Sequence, residues 1–150
     1  MALARSTPAV EDPIEFLFSN KKSVVNQREV GRDTQSLQVG LRNALRQAPD
    51  CILIGEIRDR ETMTSALSYA LSGHLVLATM HANNSYHALS RIMSFYTPEA
   101  RPALLSDLGA GMRAIVSQRL LRAAVENWSP TFKPRRFATL RPTMAASRCD

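Results

Sequence analysis

Residues 51–54, Cys-Ile-Leu-Ile, form an uninterrupted apolar run that stops at Gly55 and delivers an acid, Glu56. A segment that is apolar at every position, rather than at alternate ones, needs cover on both faces, which is the environment of a central parallel strand. Parallel strands need crossovers, so this run, alternating with the helical periods around it, predicts a layered α/β fold. The next residues agree. Met63, Ala66, Leu67, Ala70 and Leu71 mark one face of a helix from about Thr62 to Ser72, and Gly73 is placed to stop it as a left-handed cap. A second strand, Leu75 to Thr79, then leads into His81.

Upstream, Leu37, Leu41, Ala44, Leu45 and Ala48 space out a helix that Asp33 or Ser36 caps and Pro49 ends. Thr7 to Val10 reads as the remnant of a further strand, and Leu17 to Val30 as a hairpin or a loop. Downstream, Asn84 or Ser85 caps a helix expected to bury Ala88, Leu89, Ile92 and Met93. Another helix starts near Pro98 and carries Leu104, Leu108, Met112, Ile115 and Val116. After Glu126 the chain holds three prolines and no period, as expected of an extended or disordered end. This divides the chain into a lead (1–10), a core (11–126) and a tail (127–150).

Charge follows the same division. Residues 1–126 carry fourteen Lys/Arg against twelve Asp/Glu, and residues 127–150 carry five against one. The basic tail could meet phosphate-rich partners, but no nucleic-acid-binding motif accompanies it, and nucleic acid is not an expected partner. No window approaches the roughly 18 apolar residues of a spanning helix, and the opening ten residues are too short and Pro-broken for a signal peptide, so a non-integral cytoplasmic protein is expected. Cys51 and Cys149 form no Cys-x-x-Cys pair, and His74, His81 and His87 do not have zinc-ligand spacing. Cys51, inside a buried strand, is expected to be an inert thiol.

Three segments could carry chemistry. Glu56 stands at the C-terminal end of an apolar strand, where open α/β sheets bind ligands, and an acid there can hold Mg²⁺ through water or orient an attacking water. A strand ending in Glu is weak evidence alone. Glu11-Asp12-Pro13-Ile14-Glu15 packs three carboxylates into five residues, which is either a solvated Asp-Pro turn or, with Glu56, a two-carboxylate Mg²⁺ and water site. His81 is either a surface or capping residue, or an imidazole that senses a phosphate oxygen.

In order, EDPIEF, VNQREVGRDT, LRQAPDCILIGEIRDRETM and SGHLVLATMHANN resemble the type IV pilus retraction ATPases of the secretion-ATPase superfamily, the PilT/PilU family, from about Glu11 to Arg122. The likeness leans towards the PilU branch through residues 45–50 and 81–84. It implies a partial RecA-like P-loop NTPase core, a three-layer αβα fold with a mostly parallel sheet. It also implies ATP and Mg²⁺ as cofactors and a hexameric ring with other pilus ATPase subunits. The ring would sit peripherally at the inner-membrane platform, driving pilus retraction and twitching motility. By that resemblance Glu15 prepares the hydrolytic water and Glu56 is the Walker B acid. Glu11, Asp12, Arg58, His74 and His81 border the nucleotide, and Glu56 with Asp12 holds Mg²⁺ through water. Arg28, Arg32 and Arg58 fall in motif segments near the nucleotide or a neighbouring subunit.

Two departures qualify this expectation. The phosphate-cradling Gly-x-x-x-x-Gly-Lys-Ser/Thr loop is absent from the 150 residues, as is the family's amino-terminal domain. The tail also leaves the family pattern, which suggests a truncated or frameshifted reading frame. The expected function is therefore the acid half of an ATPase site, inactive alone and marginal or oligomerising in stability. The alternative is a non-catalytic module that docks on an intact pilus ATPase ring.

Overall fold

The computed structural model describes residues 5–118. Four parallel strands, β1 (Arg5–Glu11), β2 (Ser23–Glu29), β3 (Cys51–Ile54) and β4 (Leu75–Ala78), form one sheet in the order β2-β1-β3-β4. The helices are α1 (Leu37–Leu45), α2 (Arg60–Leu71), α3 (Ser85–Ser94) and α4 (Arg101–Gly111), with a 3-10 turn at Pro98–Ala100. The boundary proposed near Glu126 and the basic tail lie outside the described residues.

The caps show why each helix begins where it does. The side chains of Ser36, Asp59 and Asn84 accept from the backbone N–H of Val39, Thr62 and His87, satisfying first-turn donors that have no intrahelical partner. Gly73 closes α2 at φ +100°, a conformation that favours glycine.

Ile52 and Ile54 of β3 share a face with Val10, Leu41, Met63, Ala66 and Leu67, and these form the core. Side chains alternate along a strand, so Leu53 points to the other face, in register with Leu77, with Leu75 beside Cys51. Leu75 and Leu77 are about half exposed, at 53% and 49%. Among the described residues, then, the helical layer covers one face, while the opposite face keeps the apolar character the continuous run requires.

Three local expectations change. Leu17–Val30 is neither hairpin nor loop in its second half: Ser23–Glu29 pairs parallel with β1 after a connection covering residues 12–22. That connection is about as short as a parallel crossover can be, which is why it reads as a hairpin. The last helix stops at Gly111, where Met112 turns extended, so Ile115 and Val116 lie outside it, and Val116 is 75% exposed. In α3 only Ile92 is fully buried, with Met93 partly buried against the core, and Leu89 is exposed.

Two helical glycines test this packing. A Cβ on Gly40 would lie 2.8 Å from Val10 Cγ1, whereas one on Gly109 would meet nothing within 4 Å. Gly40→Ala is expected to lower stability by about 1–2 kcal/mol through overpacking despite its better helix propensity. Gly109→Ala should raise stability by up to about 1 kcal/mol. Urea denaturation of both variants reads the two signs.

Candidate functional site

The candidate site is built where β1 and β3 end side by side. Gly55 N–H donates to the Val10 carbonyl at 2.8 Å, and a Cβ on Gly55 would approach Glu11 Cα to 3.0 Å, so only glycine lets the two strand ends run this close. The chain leaves β3 as Glu56, with 15% of its side chain exposed, and leaves β1 as Asp12, followed by a cis Asp12–Pro13 bond.

Arg58 joins the two acids. Its Nε donates to Glu56 Oε2 at 2.6 Å, its Nη1 to Asp12 Oδ2 at 3.3 Å and its Nη2 to the Asp12 carbonyl at 3.3 Å. The guanidinium pKa is raised, first by the hydrogen bond to Glu56, then by that carboxylate's charge, with Asp12 adding to it. On the other side, His81 Nε2 stands 3.5 Å from Glu56 Oε1. The end of β4 is tied in by Ile57 N–H donating to the Thr79 carbonyl at 2.9 Å, and by the Thr79 hydroxyl donating to the Gly55 carbonyl. Glu56 is therefore gripped between a cation and an imidazole at the C-terminal edge of a parallel sheet, where such sheets place ligands.

A cavity of about 280 Å³ opens here, lined by Asp12, Ser36, Gln38, Glu56, Arg58 and Thr62 among others. Ser36 is the N-terminal cap of α1 and Gln38 lies in its first turn. They were invisible as site residues in the sequence, since only the parallel placement of β1 brings α1 over the strand ends. Gln27 was also missed: its Nε2 donates to Glu11 Oε1 and to the Phe16 carbonyl, both at 2.8 Å, and its Oε1 accepts from Phe18 N–H at 2.9 Å. Nothing in the composition of β2 marks this clamp.

Of the expected site residues, Asp12, Glu56, Arg58 and His81 meet. Glu11 is held by Gln27 instead. Glu15 is exposed and has no hydrogen bond or ion pair among the described residues. His74 sits before β4 and His81 after it, at opposite ends of the sheet; His74 Nδ1 lies 3.2 Å from Ser72 Oγ and 3.3 Å from the Tyr69 carbonyl. Cys51 has its thiol pKa pushed up by burial and by the charge of Asp50, in keeping with an inert thiol.

A protein-only metal cage is not built here: no group of three or more His, Cys, Asp or Glu side chains converges among the described residues. Asp12 and Glu56 lie within the span of one guanidinium, which suits a cation carried by phosphates and approached through water. Such a cation fits only when Arg58 releases at least one acid.

A model of the family described as "Type II/IV secretion system protein" matches residues 4–150. The chain belongs to this family. It is 50% identical over 113 residues to the type IV pilus ATPase PilU of Pseudomonas aeruginosa, a match covering 75% of this chain and 30% of that protein. Against the type IV pilus retraction ATPase PilT of the same organism it is 42% identical, covering 75% and 33%. The crystal structure of the pilus retraction motor PilT with bound ADP superimposes with a TM-score of 0.73 at 44% identity, covering 79% of this chain and 34% of the other. The Legionella pneumophila ATPase DotB gives 0.71 at 34% identity, covering 78% and 32%. The fold class is therefore that of the P-loop secretion ATPases, and the chain spans about a third of the length of these relatives.

Removing the guanidinium unites two like charges with no cation between them. Arg58→Ala is expected to tighten Mn²⁺ binding at Asp12 and Glu56 by roughly two- to fivefold, a modest gain because the pair is solvent-screened. Electron paramagnetic resonance of free Mn²⁺ during a titration reads this, and an unchanged or weaker affinity counts against a cation site here.

Proposed function

We propose that this chain supplies the acid and sensor side of an ATP-hydrolysing site in a pilus retraction ATPase. The observation that carries the reading is the grip on Glu56, held by Arg58 and faced by His81 at the end of a central strand in a secretion-ATPase fold. Bound with nucleotide, Mg²⁺ would neutralise phosphate charge, with Asp12 and Glu56 as its protein-side acids. Glu56 orients water at the strand end, and Arg58 keeps its carboxylate aimed. His81 is placed to donate a hydrogen bond to a phosphate oxygen. Glu15, exposed and unpaired among the described residues, is free to swing towards that water.

The 150 residues contain no phosphate-cradling loop, so the phosphate side of the site must come from outside them. The outer edge of β4, with Leu75 and Leu77 half exposed, supports a reading in which a further strand joins there and delivers that loop beside Glu56. In such a site the chain works within a ring of pilus ATPase subunits, peripherally at the inner membrane. The same open edge and apolar face favour a second reading, a non-catalytic module that docks on an intact ring and alters its turnover.

Each missing preorganised phosphate donor lowers kcat by about 10²–10³. The chain alone is thus expected to show no ATP turnover above background. Mixed with an intact retraction ATPase whose own Walker B acid is neutralised, the wild-type chain should restore hydrolysis and Glu56→Gln should not. Rescue by both would sink the catalytic role of Glu56. Inhibition of an unmodified ring by both chains alike would select the docking module.

A further inference from the structure

Beside the Glu56 cluster lies a second, larger concavity. It has a volume of about 590 Å³ and is lined by His81, Ala82, Asn83, His87, Ser90, Arg91 and Ser94. The concavity is shallow and open to solvent, with His81, His87, Ser90, Arg91 and Ser94 all exposed. Its chemistry is one-sided. Every ionisable side chain lining it is an arginine or a histidine, and the Glu56 carboxylate stands 3.5 Å behind His81 at its boundary.

The arrangement follows from helix geometry. His87, Ser90, Arg91 and Ser94 recur at i, i+3, i+4 and i+7, which stacks them on one face of α3. Asn84 caps that helix by accepting from His87 N–H at 2.8 Å, so the positive end of α3 opens beside the His81 turn. Arg91 and His87 make no ion pair among the described residues, where the ion-paired side chains are Asp12, Glu56, Arg58 and His81. The Arg91 guanidinium, the His87 imidazole and the Ser90 hydroxyl therefore face the groove with no ion pair of their own among the described residues, whereas His81 is shared with Glu56 and the Ser94 hydroxyl donates to the Arg91 carbonyl at 2.7 Å. A guanidinium matches phosphate through paired N–H donors, and hydroxyls and imidazoles add single donors around it.

We propose that this groove is an oxyanion site that takes a phosphate group, with Arg91 and His87 as its principal donors and His81 at its boundary with Glu56. No aromatic carbocycle lines it, so the phosphate end of a ligand supplies the recognition and an attached nucleoside adds little. His81, with 85% of its side chain exposed and its Nε2 near Glu56, joins the two concavities. The inference goes beyond the hydrolytic reading and does not need turnover by this chain.

The test is a titration of the full chain with inorganic phosphate at constant ionic strength, followed by NMR of the histidine side chains. The expected result is saturable millimolar binding that moves His87 and His81 and leaves His74, at the other end of β4, unmoved. Arg91→Gln should weaken it about tenfold, and Arg113→Gln, an exposed arginine outside the groove, should leave it unchanged. A nucleoside monophosphate should bind within about threefold of phosphate. The proposal is overturned if His87 does not respond by 20-fold the millimolar range, if Arg91→Gln and Arg113→Gln behave alike, or if the nucleoside monophosphate binds far more tightly than phosphate. Failure of the Glu56→Gln rescue experiment leaves this titration untouched, so the two readings fail separately.

Discussion

The close approach of β3 to β1 at Gly55 is the constraint on which the rest of the site depends. Gly55 N–H bonds to the Val10 carbonyl, and the absence of a side chain lets the strand end pass beside Glu11. The two chains then diverge with their acids a short distance apart, close enough for one guanidinium to reach both. Any larger residue at 55 would push the strand ends apart and break that geometry before it changed any functional group. The packing beneath is equally tight: Val10, Ile52 and Ile54 are fully buried, so the strand ends rest on a floor that cannot yield.

Arg58 has two effects of opposite sense. It neutralises a pair of carboxylates that would repel each other, and it fills the position a cation would take. Its hydrogen bond to Glu56 is shorter than its contacts with Asp12, and Glu56 is much the more enclosed of the two acids. The Asp12 contacts are therefore the weaker arm of the bridge, and the arm that an approaching cation displaces first. The grip on Glu56 persists through that exchange, which keeps the carboxylate held between Arg58 and His81.

What could be read from the sequence was whatever carried a strong period or an obligatory residue. β3 followed from four consecutive apolar residues, α2 from its 3.6-residue repeat, and its end from Gly73. Asp12, Glu56 and His81 were legible as polar groups at the ends of successive strands, Arg58 entered only through the resemblance, and the parallel sheet brings the four together. β2 escaped because Ser23–Glu29 mixes valines with polar residues and follows a connection short enough to pass for a turn. The overlong final helix came from reading a hydrophobic spacing through Gly109 and Gly111, two poor helix formers, one of which instead packs against Leu71 and Ala70. His74 and His81 belong to one motif, and the strand between them carries them to opposite ends of β4.

The exposed leucines and the chemical site belong to one edge of the molecule. β4 runs from Leu75 through Leu77 towards Thr79 and His81, and Thr79 is tied to Gly55. Any layer that covers Leu53, Leu75 and Leu77, or any strand that pairs with the outer edge of β4, is therefore carried along the same direction towards Glu56. Burying half-exposed leucines is favourable by roughly 25 cal/mol per Å² of apolar surface, and that gain is obtained only in the register the parallel edge allows. Completion of the hydrophobic layer and completion of the polar site are consequently coupled: the apolar face sets where a partner segment sits, and the end of β4 sets which chemical groups it meets.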